Sequence, residues 1–156
     1  MATGAGVYNR GKAIIGGKSV TAGPHVWGTT AVIIILVTAT YTPNVDHNFV
    51  SDLTNELSGG GYARITSMTS QSITEDDTND RLEYLAQKTT FASLGAAAGT
   101  PGYAIVADGT GGTDAARELI CYCGTGASPT TPDGNNYEIR WGGTDGVGVV
   151  FRLNNA

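Results

Sequence analysis

Basic runs, long apolar runs and cysteine-rich segments are all missing from this chain of 156 residues, and each absence excludes a class of protein. No three consecutive residues are basic, and 9 Lys+Arg stand against 14 Asp+Glu, which gives a formal net charge of −5. Proteins that grip nucleic acid neutralise its phosphates with Lys and Arg, so we expect no nucleic-acid partner. The longest apolar stretch, Ala31 to Val37, is far shorter than the roughly 20 residues that span a bilayer. We therefore expect no membrane partner.

Cysteine and histidine are also scarce. Cys121 and Cys123 are the two cysteines; in a strand they share one face about 7 Å apart, beyond comfortable disulfide reach. We predict two reduced thiols in a protein made in a cytoplasm, and the N-terminal residues contain no apolar region typical of a signal peptide. The two histidines, His25 and His47, are remote in sequence, whereas a zinc site needs four ligands at recognisable spacing. We expect no metal.

Catalytic patterns are incomplete. A histidine-based hydrolase needs a nucleophile beside its histidine, and no GxSxG motif accompanies His25 or His47. The acidic stretch from Glu75 to Asp80 resembles the start of a calcium loop, but Arg81 stands where an EF-hand requires glycine. A solvated loop explains this stretch better. We predict that the protein is not an enzyme, with no catalytic residue and no cofactor.

The apolar pattern predicts a mainly β fold. Residues 32–37 are apolar at both odd and even positions, as in a central strand covered on both faces. Apolar and polar residues alternate over 137–141 and over 147–153, as in half-buried antiparallel strands. Further strands are predicted at 62–69, 82–91, 102–107 and 117–123. With a single helix, these strands indicate an antiparallel β-sandwich or barrel over residues 31–156.

One short α-helix is predicted at about 47–57. Its start is indicated by Asp46, a residue type that accepts hydrogen bonds from the first helical N–H groups, and its end by Gly59. The apolar residues between them share one helical face: Phe49, Val50, Leu53 and Leu57.

Residues 1–30 are rich in Gly, Ala and Thr, with only small apolar islands. Two interpretations fit: a frayed terminus that adds one strand to the domain, or an extended arm that becomes ordered on a partner. An arm could reach roughly 100 Å, and deletion of residues 1–28 would leave the domain folded. We divide the chain into an arm, 1–30, and a β-rich domain, 31–156. The arm's bulky side chains would contact the partner: Tyr8, Ile14, Ile15 and Trp27.

Several blocks of residues together resemble a family of virion proteins from tailed bacteriophages. The resemblance runs from about Val32 to the C-terminus. Its first block comprises Tyr41-Thr42-Pro43-Asn44, Asp46-His47, Phe49, Asp52, Asn55-Glu56, Ser58-Gly59 and Gly61-Tyr62. Its later blocks comprise Thr100-Pro101, Tyr103-Ala104, Asp108, Thr110-Gly111, Leu119-Ile120, Tyr137, Ile139, Trp141 and Gly146.

The resemblance implies a small structural protein of the virion, made in the host cytoplasm and needing no cofactor. From its size, acidic charge and arm we predict a capsid decoration (cement) protein that binds the major capsid protein on the capsid exterior. We expect a homo-oligomer and favour a homotrimer, because three copies fit the threefold positions of an icosahedral shell. Two alternatives remain: a minor tail, tail-tip or head-fibre protein contacting the host receptor, and a carbohydrate-binding or hydrolytic module.

Overall fold

The computed structural model describes residues 4–19, 23–126, 131–143 and 145–154. In this part of the chain the fold is mainly β, with antiparallel strands and a short α-helix, α1 (Asn9–Ile15), so the predicted fold class is confirmed. The strands are β1 (Ala5–Val7), β2 (Val32–Thr38), β3 (Ser72–Asp76), β4 (Arg81–Gln87), β5 (Thr89–Phe91), β6 (Pro101–Asp108), β7 (Leu119–Gly124), β8 (Tyr137–Ile139) and β9 (Val147–Asn154).

The described strands form a sandwich-like arrangement of antiparallel sheets. The main sheet is four-stranded, in the order β1-β7-β6-β2. A second sheet is three-stranded, in the order β3-β4-β9, and β5 and β8 form a separate pair. In these described sheets β1 is therefore at an edge of the main sheet, and β3 and β9 are the two edges of the second sheet.

The main sheet is buried on both faces, which explains why β2 is apolar at odd and even positions alike. Ile34 and Leu36 belong to a core that the main sheet shares with the second sheet. Ile33 and Ile35 belong to another core, on the opposite face, beneath the segment 41–53. The prediction of a central strand covered on both faces is confirmed, since β2 is buried from Val32 to Val37.

An irregular segment covers the outer edge of β2. Ile34 and Ile65 exchange backbone hydrogen bonds of 2.7 and 3.1 Å, and the N–H of Leu57 donates to the carbonyl of Leu36 at 3.0 Å. The strand predicted at 62–69 is wrong, because only Ile65 forms a bridge there. The polar stretch after it, which we predicted to be a loop, instead contains β3.

The helix predicted at 47–57 is wrong in position: this segment is a loop with a short 3-10 turn at Val50–Asp52. The carboxylate of Asp52 accepts the N–H groups of Asn48 and Phe49 at 2.8 and 3.0 Å, while Val50 donates to the carbonyl of Arg117 at 2.9 Å. A helix of eleven residues is marginal without tertiary support (isolated helices need about 12–15 residues). Hydrogen bonds within this segment, and one to the segment before β7, therefore prevailed over the helical pattern.

The described residues of 1–30 pack on the rest of the chain in this conformation, with one strand added to the main sheet and a helix that we did not predict. β1 pairs antiparallel with β7, and α1 follows directly against the same strand. At Gly11 the helix approaches β7 so closely that an added Cβ would lie 2.1 Å from the carbonyl oxygen of Ile120. No helix in the described part of the chain has the length and apolarity that crossing a bilayer requires.

Trp27 joins the N-terminal segment to the second sheet. Its ring packs edge-on against Phe151 and Tyr84, with ring centroids 5.3 and 5.9 Å away. The indole Nε1 donates to the carbonyl of Leu85 at 2.9 Å, which satisfies its only polar atom. Trp27 is 7% exposed, so this ring fills the core of the protein itself.

We predict that Gly11→Ala destabilises the protein by about 1–3 kcal/mol, because the new methyl group meets the backbone of β7. Alanine favours a helix over glycine by about 1 kcal/mol, so helix propensity alone predicts the opposite sign. Gly112→Ala is the matched control, since an added Cβ there has no atom within 4 Å. Urea unfolding measures both variants; a Gly11→Ala protein as stable as the control would contradict the close approach.

We predict that deletion of residues 1–28 abolishes cooperative unfolding, contrary to the expectation for a detachable arm. The deletion removes β1, α1 and Trp27, and loss of one buried Trp side chain alone costs about 3–5 kcal/mol of the roughly 5–15 kcal/mol typical of a domain. Thermal unfolding followed by tryptophan fluorescence and circular dichroism measures the effect. A truncated protein that melts like the full chain would show that the segment is dispensable.

Candidate functional site

A groove of about 1030 Å³ lies between the edges of the two sheets. We call it the β1–β9 groove. Strand β1 and the end of β7 form one wall, and β9 with the turn after β8 forms the other. The lining residues that matter below are Gly4–Val7, Lys12, Val45, Cys123, Arg140–Gly143 and Val149–Asn154.

A β-bulge shapes the wall formed by β9. Tyr84 pairs with Phe151 and Leu85 pairs with Val149, so Val150 is an extra residue on β9. Its side chain is buried, and its carbonyl accepts a hydrogen bond from the thiol of Cys123 at 3.1 Å. A bulge bends its strand and turns it. The bulge therefore joins β9 to β7 at one point and leaves the groove open beyond it.

The turn at 141–143 fixes the other end of the same wall. Trp141 is 1% exposed, and its Nε1 donates to the hydroxyl of Thr89 at 3.2 Å. Gly142 follows with φ +59°, a conformation that L side chains rarely adopt, and an added Cβ would lie 3.2 Å from the nitrogen of Val149. The buried tryptophan and the glycine hold this turn against β9.

The charge of the groove differs in sign from that of the whole chain. Its ionisable lining consists of Lys12, Arg140 and Arg152, with no carboxylate among the described lining residues. Arg152 pairs with Glu83 at 2.8 Å, and Arg140 pairs with Asp145 at 2.9 Å. Both guanidinium groups remain about half exposed, and Lys12 is exposed without an ion pair to any described residue. Arg140 also pairs with Glu138 at 3.2 Å, so Lys12 carries the positive charge that no described carboxylate compensates. Together with the half-exposed guanidinium groups it makes the groove favourable for an anionic group.

Both cysteines are free thiols, as predicted. Cys121 is fully buried, and its pKa is raised by burial and by a hydrogen bond with the Cys123 thiol. A thiol with a raised pKa holds less of the reactive thiolate at neutral pH. Cys121 therefore serves packing in the core, while the half-buried Cys123 forms part of the groove wall.

A buried polar cluster lies at the end of β6. His25 is 4% exposed, and its Nδ1 lies 2.7 Å from Oδ2 of Asp108. The other carboxylate oxygen of Asp108 accepts the N–H and the hydroxyl of Thr110. Burial opposes the charged form of Asp108, but the hydrogen bonds from His25 and Thr110 outweigh it, so the pKa of Asp108 falls below its ordinary value of 3.8.

This cluster joins segments that are distant in the sequence, and no described serine or cysteine is hydrogen-bonded to His25. The hydroxyl of Ser19 donates to Glu118 at 2.5 Å, whereas a serine nucleophile must donate to its histidine. The Nε2 of His25, the atom that would accept that proton, is buried and has no hydrogen-bond partner among the described residues. His25 therefore fastens the segment before β2 to the end of β6.

Arg64 makes a second tie between loops. Its guanidinium donates to both carboxylate oxygens of Glu56 at 2.6 and 2.7 Å, and to both of Asp114 at 2.7 and 2.9 Å. The hydrogen bond from Arg64 lowers the pKa of Asp114. Such double bidentate geometry is specific to arginine. The cluster links the segment along the edge of β2 to the loop before β7.

The four side chains predicted to contact a capsid lie inside the protein. Tyr8 and Ile14 are 0% exposed, and Trp27 is 7% exposed. Ile15 is half-buried and packs against the main core. The hydroxyl of Tyr8 bonds to that of Tyr41 at 3.0 Å. None of the four lines the β1–β9 groove, and in this conformation the chain itself covers their apolar surface.

Sequence reasoning missed the groove and its cationic residues. Alternation over 147–153 correctly indicated a half-buried strand, but it did not show that β9 is an edge strand or that β1 lies across from it. Lys12, Arg140 and Arg152 are far apart in sequence, so no local motif connects them.

The chain matches no family model, no curated protein and no solved structure.

We predict that His25→Ala destabilises the protein by about 1–3 kcal/mol at neutral pH, because it leaves the buried Asp108 carboxylate without its hydrogen bond to His25. The double variant His25→Ala/Asp108→Asn is the control and recovers part of this loss, since no unpaired charge remains. Urea unfolding at neutral pH measures both. Equal stability of the parent and His25→Ala would contradict the tie.

We predict that the Asp108 carboxylate contributes to acid unfolding. Its pKa is lowered by folding, so its contribution is fully present above the unfolded value of 3.8 and is lost as the pH falls through the folded value. Asp108→Asn should therefore remove part of the decline in unfolding free energy below pH 3.8. Urea unfolding at a series of acid pH values measures this; parallel curves for parent and variant would refute it.

Proposed function

We propose that this chain is a structural protein of a tailed-bacteriophage virion, a capsid decoration protein that binds the major capsid protein on the outer surface and stabilises the shell. It acts by binding, without catalysing a reaction. The particle would contain many copies, arranged as homo-oligomers.

The residues that carry the resemblance support this proposal, because they hold the segment 41–53 over the main sheet. The hydroxyl of Tyr41 bonds to Tyr8 and lies 3.2 Å from Nδ1 of His47. Asp46 accepts a bond from Asn9 at 2.8 Å, and Asp52 accepts two backbone N–H groups. These residues of the block therefore make contacts that position the segment in this fold. Residues with such a role are the ones that members of a structural family are expected to share.

The observation that carries the proposal is that the groups able to bind a partner lie at exposed strand edges and in a groove. The candidate reactive groups each make a hydrogen bond within the chain: His25 to Asp108, Ser19 to Glu118, and Cys123 to the carbonyl of Val150. Open strand edges and a groove of about 1030 Å³ remain at the surface. Edges and grooves are the features by which β domains bind other proteins.

The folded N-terminal segment changes how such a protein would hold a capsid. Because Ile14 and Trp27 fill the core, they are not free to reach a neighbouring subunit. The contact with the shell would therefore be made by the surface of the folded domain. The expected consequence is binding between preformed surfaces, without the cost of ordering an extended arm.

Binding to empty capsids tests the proposal. A protein that binds only the assembled shell stabilises it by about 2.7 kcal/mol at a hundredfold excess over Kd. We expect purified protein to raise the unfolding temperature of empty shells in a concentration-dependent and saturable way. An unrelated acidic protein of similar size is the control.

Copy number in purified particles distinguishes decoration from the tail or head-fibre alternative. Quantitative mass spectrometry should find a number comparable to that of the major capsid protein, whereas a tail or tail-tip protein would be present in only a few copies. Absence of the chain from mature particles, or turnover of a substrate by the purified protein, would end the proposal.

A further inference from the structure

The hairpin of β3 and β4 stands apart from the core. Every residue of β3 from Ser72 to Glu75 is exposed, although a strand in a sandwich normally buries alternate residues. Ile73 is 49% exposed, one of the few large apolar side chains with that much exposure in the described chain. The outer edge of β3 has no neighbouring strand in the described sheets. The strand thus offers both an unpaired edge and an apolar side chain.

The tip of this hairpin carries concentrated negative charge. Asp76 pairs with Arg81 at 2.9 Å and bonds to Asn79, so its charge is partly used within the hairpin. Glu75, Asp77 and Asp80 are exposed and form no ion pair with any described residue. Like charges at an edge strand usually prevent association, unless a surface of opposite charge receives them.

The β1–β9 groove is a surface of that kind. Lys12, Arg140 and Arg152 supply positive charge, and Val45, which is 42% exposed, supplies an exposed apolar contact. Strand β9 lines the groove over residues 149–154, and β3 spans five residues, so the two strands are similar in length. The groove and the hairpin therefore match in charge, in apolar character and in length.

We propose that the β1–β9 groove binds the β3–β4 hairpin of a second copy of this chain. The edge of β3 pairs with the edge of β9, and the acidic tip lies against Lys12 and Arg152. Ile73 packs against the apolar part of the groove. This contact is independent of the role in a virion, since it requires only copies of the same chain.

The topology makes this contact head-to-tail. β3 and β9 are opposite edges of one three-stranded sheet, so pairing β3 of one copy with β9 of the next extends the sheet across copies. Such a heterologous interface uses two different surfaces on every copy and closes into a ring or continues as a filament. A closed ring of three copies would be the homotrimer expected from the sequence.

Sedimentation equilibrium of the purified full chain tests the contact. The weight-average mass should rise with concentration above the monomer mass of 16.0 kDa, and association should weaken as salt shortens the range of charge interactions to about 3 Å at 1 M. A mass that stays at the monomer value at all concentrations would overturn the proposal, because the acidic edge then serves only to prevent association.

Charge reversal on each side identifies the surfaces. Glu75→Lys/Asp77→Lys in the hairpin and Lys12→Glu/Arg152→Glu in the groove should each weaken self-association about tenfold or more. Lys18→Glu is the matched control, because Lys18 is exposed and does not line the groove. Circular dichroism and thermal unfolding show whether each variant folds. Association of both reversed variants equal to that of Lys18→Glu would refute the assignment.

Mixing the two reversed variants provides the sharpest measurement. The hairpin variant retains a cationic groove and the groove variant retains an acidic hairpin, while the two altered surfaces also have opposite charges. The mixture should therefore associate more tightly than either variant does alone. In the associated form, amide hydrogen exchange should slow at 72–76 and 149–154. Association without protection at these edges would place the contact elsewhere.

Discussion

The pairing of β2 with β6 is the constraint on which the rest of the structure depends. Both strands are buried on both faces: β6 over its whole length and β2 from Val32 to Val37. Neither face of this pair can be left to water, because each carries a continuous row of apolar side chains. One face requires the second sheet and Trp27, and the other requires Tyr8 and the segment 41–53. The layered architecture follows from this requirement.

Polar groups beside the two layers that cover the main sheet share one function, which is to hold loops against that sheet. His25 with Asp108, Arg64 with Glu56 and Asp114, and Tyr41 with Tyr8 each join segments distant in sequence. Buried polar groups must have partners or they cost stability. Residues that appear chemically suggestive in the sequence are thus used to position loops.

The second sheet explains how one domain offers two complementary surfaces. Its inner residues pack against the main sheet, while its ends extend beyond the core as β3 on one side and as the β9 wall of the groove on the other. In the head-to-tail contact that we propose, the sign of charge at each of these edges would determine whether copies repel or bind. Acidic residues at β3 and basic residues beside β9 place charges of opposite sign at two edges of the sheet, which the net charge of −5 does not reveal.

The sequence by itself determined the mainly β class, the two-faced burial of residues 32–37, the half-buried strand at 147–153 and the free thiols, because each depends on local alternation or spacing. It did not determine whether residues 47–57 would be helical, since a short apolar period loses to the hydrogen bond from the Val50 N–H to the Arg117 carbonyl, which only the folded chain supplies. Nor did it place Tyr8, Ile14, Ile15 and Trp27, because a weakly patterned segment takes its structure from the surface it covers. The groove was decided entirely by tertiary structure: Lys12, Arg140 and Arg152 come together because β1 and β9, from opposite ends of the chain, meet as edges.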